Sequence, residues 1–270
     1  MNAVITAESS PAEARQGIRT GNWRGVTTGL CAGYVQANLV ILPARLAAEF
    51  TEFCHANPRA LPLLERTEPG VPDALRVAPG ADLRTDLPRY RVYRDGVLES
   101  EVDTLAELWL DDLVAFLLGC SFTAEQRLAS AGVRLRHLET GSNVPMFRTS
   151  MMCEPAGRFH GPVVVSMRTI ARDEVPLAER VTAELPMAHG APLHIGDPAR
   201  IGIEDLCTPD WGDPLLPEPD EVPVFWACGV TPQAVIARVR PELALTHAPG
   251  HMFITDVTDD DVVGARPPLA

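Results

Sequence analysis

The sequence predicts an α/β protein of two lobes, a mixed or parallel sheet core carrying helices together with a smaller α+β lobe. Three observations point there. Short continuous apolar runs at Pro162–Met167 and Val222–Cys228 have the pattern of strands buried on both faces. Helix-like stretches, Leu177–Leu185 and Thr231–Ala237, follow them, the alternation of a sheet with helices laid on it. The alternating run Tyr90-Arg91-Val92-Tyr93-Arg94 meets Asp95-Gly96 and continues as Val97-Leu98-Glu99, a hairpin signal. The main lobe is expected over 1–60 and 150–270, and the inserted α+β lobe over 61–149.

Taken in order, Ser10-Pro11-Ala12-Glu13 opens a helix with a hydroxyl cap, a first-turn proline and an early acid. A glycine-bearing loop follows. Tyr34–Phe53 reads as a helix or as a buried strand running into a helix, since Pro43 interrupts any single long helix. Residues 57–88 are proline-rich loops with short elements. Thr104–Leu118 shows helical spacing in Leu105, Leu108, Trp109, Leu113, Phe116 and Leu117, with Gly119 as its stop. Thr123–Ala131 is a further helix ended by Gly132. The acidic tail Asp259-Asp260-Asp261 is expected to be solvated.

Composition narrows the chemistry. The chain has 270 residues, 46% hydrophobic and 22% charged, which is globular rather than disordered. A net charge of −13 with no basic run argues against nucleic acid. All 23 basic residues are arginine, so no lysine Schiff base and no P-loop lysine can form. No secretory leader is recognisable, and the longest apolar stretches carry charges that bar a membrane span. Six scattered cysteines without a CxxC pair fit free thiols in a reducing, cytoplasmic compartment. The glycines form no G-x-G-x-x-G after a strand, so no nucleotide cofactor is expected. A homodimer is the base-rate expectation for assembly.

The informative segments are loops dense in small, polar and cyclic residues. They are Thr27–Asn38, Gly119–Phe122, Gly141–Thr149, His189–Pro198, Phe225–Gln233 and Thr246–Asp256. Gly33–Pro43 (GYVQANLVILP), Val222–Gln233 (VPVFWACGVTPQ), Thr246–Asp256 (THAPGHMFITD) and Thr85–Tyr90 (TDLPRY) resemble the D-glutamate cyclase family. Its bacterial members carry the name hydro-lyase, and the resemblance runs from about Gly17 to Asp256. It implies a two-lobed α/β fold and cyclisation of D-glutamate to 5-oxo-D-proline with loss of water.

Such a substrate carries two carboxylates, for which the planar arginine fork is the natural anchor. Arg148 is the first choice and Arg168 the second, an ordinary ion pair being the alternative for each. The reaction also needs a base for an ammonium proton and a donor for the departing oxygen. His194, His251 and His247 are the candidates, with His137 and His189 beside the same loops. Pro249 and Gly250 rule out a regular helical metal pair between His247 and His251, and no metal is expected. Cys120 and Cys228 each follow an apolar run. Two thiols facing a substrate α-carbon would suit proton transfer, and burial as small hydrophobes is the alternative. Thr231-Pro232 would cap a helix whose amides could hold a carboxylate. Asn143, Ser121, Gln36 and Asn38 are orienting candidates, and Asp86 and Asp256 are candidate acids. The function expected is therefore a hydro-lyase acting on a small dicarboxylate or amino acid. The alternatives are a non-catalytic carboxylate-binding protein and a different dehydratase or isomerase reaction on the same scaffold.

Overall fold

A computed structural model describes residues 5–73 and 75–265. Helix α1 (Pro11–Arg19) starts as the sequence predicts. Ser10 Oγ accepts from the Glu13 amide, and the Glu13 carboxylate accepts from the Ser10 amide. Strand β1 (Tyr34–Pro43) runs directly into α2 (Ala44–Ala56), with Pro43 at the junction. After β2 (Leu63–Arg66) and a long loop come β3 (Tyr90–Arg94) and β4 (Val97–Val102). They form the expected hairpin, its turn made by Asp95 and Gly96 at φ 49° and 75°. Then follow β5 (Leu113–Gly119), α3 (Phe122–Ser130), α4 (Arg136–Thr140), β6 (Met146–Met152) and β7 (Pro162–Ala171). The chain continues through α5 (Val175–Ala183), β8 (His194–Ile195), β9 (Glu221–Ala227), α6 (Thr231–Val239), β10 (Leu243–His247) and β11 (Phe253–Thr258).

The strands build two sheets. The larger has the order β2-β5-β1-β10-β3-β4, with β11 also on β1, and the smaller the order β6-β7-β9-β8. The α/β class holds, but the parallel pairing anticipated inside it does not: every recorded strand pair is antiparallel. The apolar runs arise because both sheets are covered on both faces, a burial pattern that does not encode strand direction. One core unites β1, β5, α2 and α6 with β6, β7 and β9 between the sheets. A second lies under the loops of 75–108 on the outer face of the larger sheet. A third packs α3 and α5 on the outer face of the smaller one. Strands β2 to β5 share a sheet with β1 and β10.

Two further expectations are corrected. Thr104–Leu118 is not a helix. Its second half is β5, buried along its whole length between β1 and β2, and its first half is a loop whose Leu105 amide bonds to Arg84 O. Six consecutive apolar residues satisfy helical spacing and a doubly buried strand equally well. In the acidic tail, Asp259 is not solvated: it is buried and accepts from Arg127 Nε at 2.9 Å.

Candidate functional site

Two strand-to-helix junctions organise the site. In the larger sheet β5 ends at Gly119, and Cys120-Ser121 turns into α3. In the smaller sheet β9 ends at Ala227, and Cys228-Gly229-Val230 turns into α6. Each thiol faces the backbone amide two residues on, Phe122 for Cys120 and Val230 for Cys228. Both glycines are dictated by close approach. A Cβ on Gly119 would overlap the Met187 carbonyl, and one on Gly229 would overlap the Asn38 side chain. Asn38 is held against Gly119 O at 2.7 Å through Nδ2. Thr231 does not cap α6 with its side chain. Its Oγ1 donates to Cys228 O at 2.7 Å and accepts from the Val164 amide at 3.1 Å, tying the junction to β7.

Strands β10 and β11 follow one another along one edge of β1. Val40 pairs with Thr246 and Ala37 with Phe253, so residues 248–252 bulge out near Asn38. His247 fills the break, its Nδ1 3.2 Å from both the amide and the carbonyl of Leu39. The bulge is tied to the loop at Thr27, whose amide donates to Gly250 O at 2.8 Å and whose Oγ1 accepts from the Met252 amide at 2.9 Å. Asn143 reaches Pro249 O through Nδ2 at 3.5 Å. Met252, Val144, Cys120, Phe122, Cys228 and Val230 share one apolar cluster, so most of the quoted loops meet there.

Beside the junctions lies a buried charge centre. Arg168 donates through Nη2 to Glu125 Oε1 at 2.6 Å and to Ser121 Oγ at 3.1 Å, and through Nη1 to Ser166 Oγ at 3.2 Å. Its guanidinium lies 5.5 Å from the Trp226 ring centroid. Glu125 Oε1 also meets His137 Nε2 at 2.8 Å, and Oε2 accepts from Thr28 Oγ1 at 2.9 Å. Burial alone would raise the Glu125 carboxyl, but Arg168 and His137 outweigh it and hold it below its ordinary range. Arg168 Nε has no hydrogen-bond partner among the described residues.

His189 borders this centre. It is fully buried, and its backbone sits at φ 75°, unusual for a residue other than glycine. Nδ1 meets Arg59 O at 2.8 Å, and Nε2 has no partner among the described residues. Burial draws its pKa down to about 4, against the bond to Arg59 O, and the charges of Arg168 and Arg59 push it the same way. Both guanidiniums therefore act through their charge on one neutral imidazole. An open pocket of about 480 Å³, lined by Pro58, Arg59, Pro186, His189 and Pro192 among others, reaches it. A second cavity, of only about 30 Å³, touches Gln36 and Glu125 beneath the Gly29–Gly33 loop. Gln36 donates through Nε2 to Thr27 O and Leu30 O, leaving Oε1 unpaired among the described residues.

The structure brings together Cys120, Cys228, Ser121, Arg168, Asn38 and Thr231, with Gln36 of β1, His247 at the end of β10 and Asn143 in the loop before β6 adjoining. It leaves others outside. Arg148 is about half exposed, pairs with Asp210 at 3.1 Å and stacks on Trp211, the ion-pair alternative. His194 lies at the sheet edge, stacked on Phe225 and bonded to Asp197 O at 2.7 Å. His251 Nδ1 lies 3.0 Å from Pro249 O of its own loop. Asp86 pairs with Arg19 at 2.6 Å and Asp256 with Arg15 at 3.0 Å. Sequence reasoning missed Glu125, Ser166 and Arg59. Nothing local marks Glu125, which reads as an ordinary first-turn acid until Arg168 from another element is placed against it.

Fold and site together define an α/β protein with a buried, ion-paired guanidinium beneath two thiol-bearing strand-to-helix junctions. The chain belongs to the D-glutamate cyclase family, whose model matches residues 114–256. A protein of Stutzerimonas stutzeri named "Putative hydro-lyase" is 53% identical, covering 97% of this chain and 99% of its own length. One of the same name from Verminephrobacter eiseniae is 55% identical over 97% and 96%. A similarly named protein of Geobacillus kaustophilus is 54% identical over 96% and 98%. Among solved structures, a nitrogen repressor-like protein of Methanococcus jannaschii aligns with a TM-score of 0.37 and 10% identity, covering 90% of this chain and 97% of that one. That likeness is too weak to carry an argument.

Proposed function

We propose that the protein is a lyase that removes water from a small amino acid with two carboxylates, closing D-glutamate to 5-oxo-D-proline. The observation that carries this is His189, a neutral imidazole whose Nε2 has no partner among the described residues, which shares the lining of an open pocket with Arg59 and feels the charge of Arg168. Two guanidiniums suit two carboxylates, Arg168 offering its Nε because both of its Nη atoms are engaged by Glu125, Ser121 and Ser166. The reaction needs a proton acceptor between them, and an uncharged imidazole is one.

In this reading the substrate ammonium gives a proton to His189 Nε2, and the freed amine attacks the γ-carboxyl carbon. The carbon–nitrogen bond forms and a carbon–oxygen bond breaks. The departing oxygen leaves as water, carrying the two hydrogens that nitrogen lost, one of them returned by His189. Arg168 remains ion-paired to Glu125 throughout and offers its Nε.

The test is incubation of the whole chain with D-glutamate and detection of 5-oxo-D-proline by mass spectrometry. Asparagine tolerates the left-handed backbone at this position. His189→Asn is therefore expected to keep the fold and lower turnover about 10²- to 10⁴-fold, the usual span of a positioned acid–base group. Absence of turnover with D-glutamate and with related dicarboxylic amino acids would overturn the reading. Binding without conversion would favour a carboxylate-binding protein instead.

A further inference from the structure

The two junctions match each other more closely than the proposed cyclisation requires. Each runs strand, thiol, short turn, then a nine-residue helix. Each thiol sulfur faces an amide of its helix start, at Phe122 or Val230. The two come from different sheets, yet they pack in one apolar cluster. Both are buried, Cys120 with 6% and Cys228 with 8% of its surface remaining. The Arg168 guanidinium, with its Nε unpaired among the described residues, acts on both through its charge.

We propose that Cys120 and Cys228 form a two-thiol pair that exchanges the α-hydrogen of the amino acid held at this site. The proposal rests on the site taking a small amino acid. Cys228 as thiolate removes the α-proton. The carbon–hydrogen bond breaks and its electron pair moves into the substrate carboxylate as an enediolate, opposite the charge of Arg168. Cys120 as thiol then gives a proton to the α-carbon and is left as the thiolate. No oxidant or reductant takes part, and exchange with solvent resets the pair.

The electrostatics assign the direction. Burial pushes both thiols up, Cys228 to about 11 and Cys120 higher. Cys120 faces its helix amide, Cys228, Glu125 and Arg168. Cys228 faces its own helix amide and Arg168. A thiolate at one position raises the other thiol, which keeps the pair singly ionised, as an acid and a base in one site require. Exchange should therefore quicken with pH from neutrality towards about 11.

The experiment is incubation of the whole chain with D-glutamate in D₂O. Loss of the α-proton signal is followed by NMR, and 5-oxo-D-proline is measured in the same samples. Deuterium is expected to enter the α-position faster than in buffer alone. Cys228→Ser should slow this about 10²- to 10⁴-fold, and Cys207→Ser, at an exposed thiol outside the site, should leave it unchanged. Conversion to 5-oxo-D-proline with no α-deuterium overturns the proposal and leaves the cyclase reading standing. Neither conversion nor exchange overturns both. Exchange at the full rate in Cys120→Ser and Cys228→Ser overturns the assignment to the thiols. The wild-type measurement decides whether the α-hydrogen exchanges even where a serine variant does not fold, which circular dichroism would reveal, and the variant that folds then tests the thiols.

Discussion

At the scale of single residues, the governing fact is a charge pair out of reach of water. Arg168 and Glu125 are each almost wholly buried and meet at 2.6 Å. Desolvating two ions is costly, and the pair persists because Ser121, Ser166, His137 and Thr28 supply further bonds. Removing one partner strands the other. Arg168→Met is expected to destabilise the protein by about 3–5 kcal/mol, measured as a shift of the urea midpoint. Adding Glu125→Gln to it should recover part of that loss, and a double variant no more stable than the single one would argue against the pair. Arg168 could be picked out of the sequence as a candidate anchor, but its partner could not. A carboxylate in a first helical turn looks the same whether it faces water or a buried cation.

At the scale of elements, the junctions β5–α3 and β9–α6 do the positioning. Each packs a glycine where another chain segment touches the backbone. At Gly119 the neighbour is the Met187 carbonyl, a backbone atom that cannot turn aside. At Gly229 it is the Asn38 side chain, which can move. Gly119→Ala should therefore cost more than Gly229→Ala, with about 1–3 kcal/mol as the usual range for overpacking. Gly229→Ala should instead displace Asn38 from Gly119 O. Thermal unfolding of the two variants checks the order, and equal losses would contradict it. The same scale shows where pattern reading works. The capping box of α1 and the Asp95-Gly96 turn are set by neighbours in the sequence, so both were readable. β5 has the spacing of a helix, and its identity as a strand depends on β1 and β2, which lie far from it along the chain.

At the scale of the molecule, two antiparallel sheets covered on both faces hold two imidazoles away from water. His189 and His247 are fully buried, and desolvation draws each pKa down to about 4. Unfolding returns them to an ordinary value of about 6.5, so between those limits the unfolded chain binds more protons. Stability is then full above pH of about 6.5 and falls as pH descends towards about 4, by at most about 3 kcal/mol for each imidazole. Glu125, held below its ordinary range, adds a loss in the same direction at lower pH. Urea titrations at several pH values check this. His189→Asn should flatten the dependence, and an unchanged slope would contradict the burial argument.

What the sequence determined by itself is whatever is local or compositional: the α/β class, the first helix and its cap, the hairpin, the absence of lysine chemistry, and the loops that carry the family's segments. What only the tertiary structure decided is which charges meet. Strand direction, the pairing of Arg168 with Glu125, the burial of His189 and the exposed position of Arg148 all depend on contacts between distant parts of the chain. Periodicity records how deeply a residue is buried, whereas the identity of its partner is set by how the layers pack.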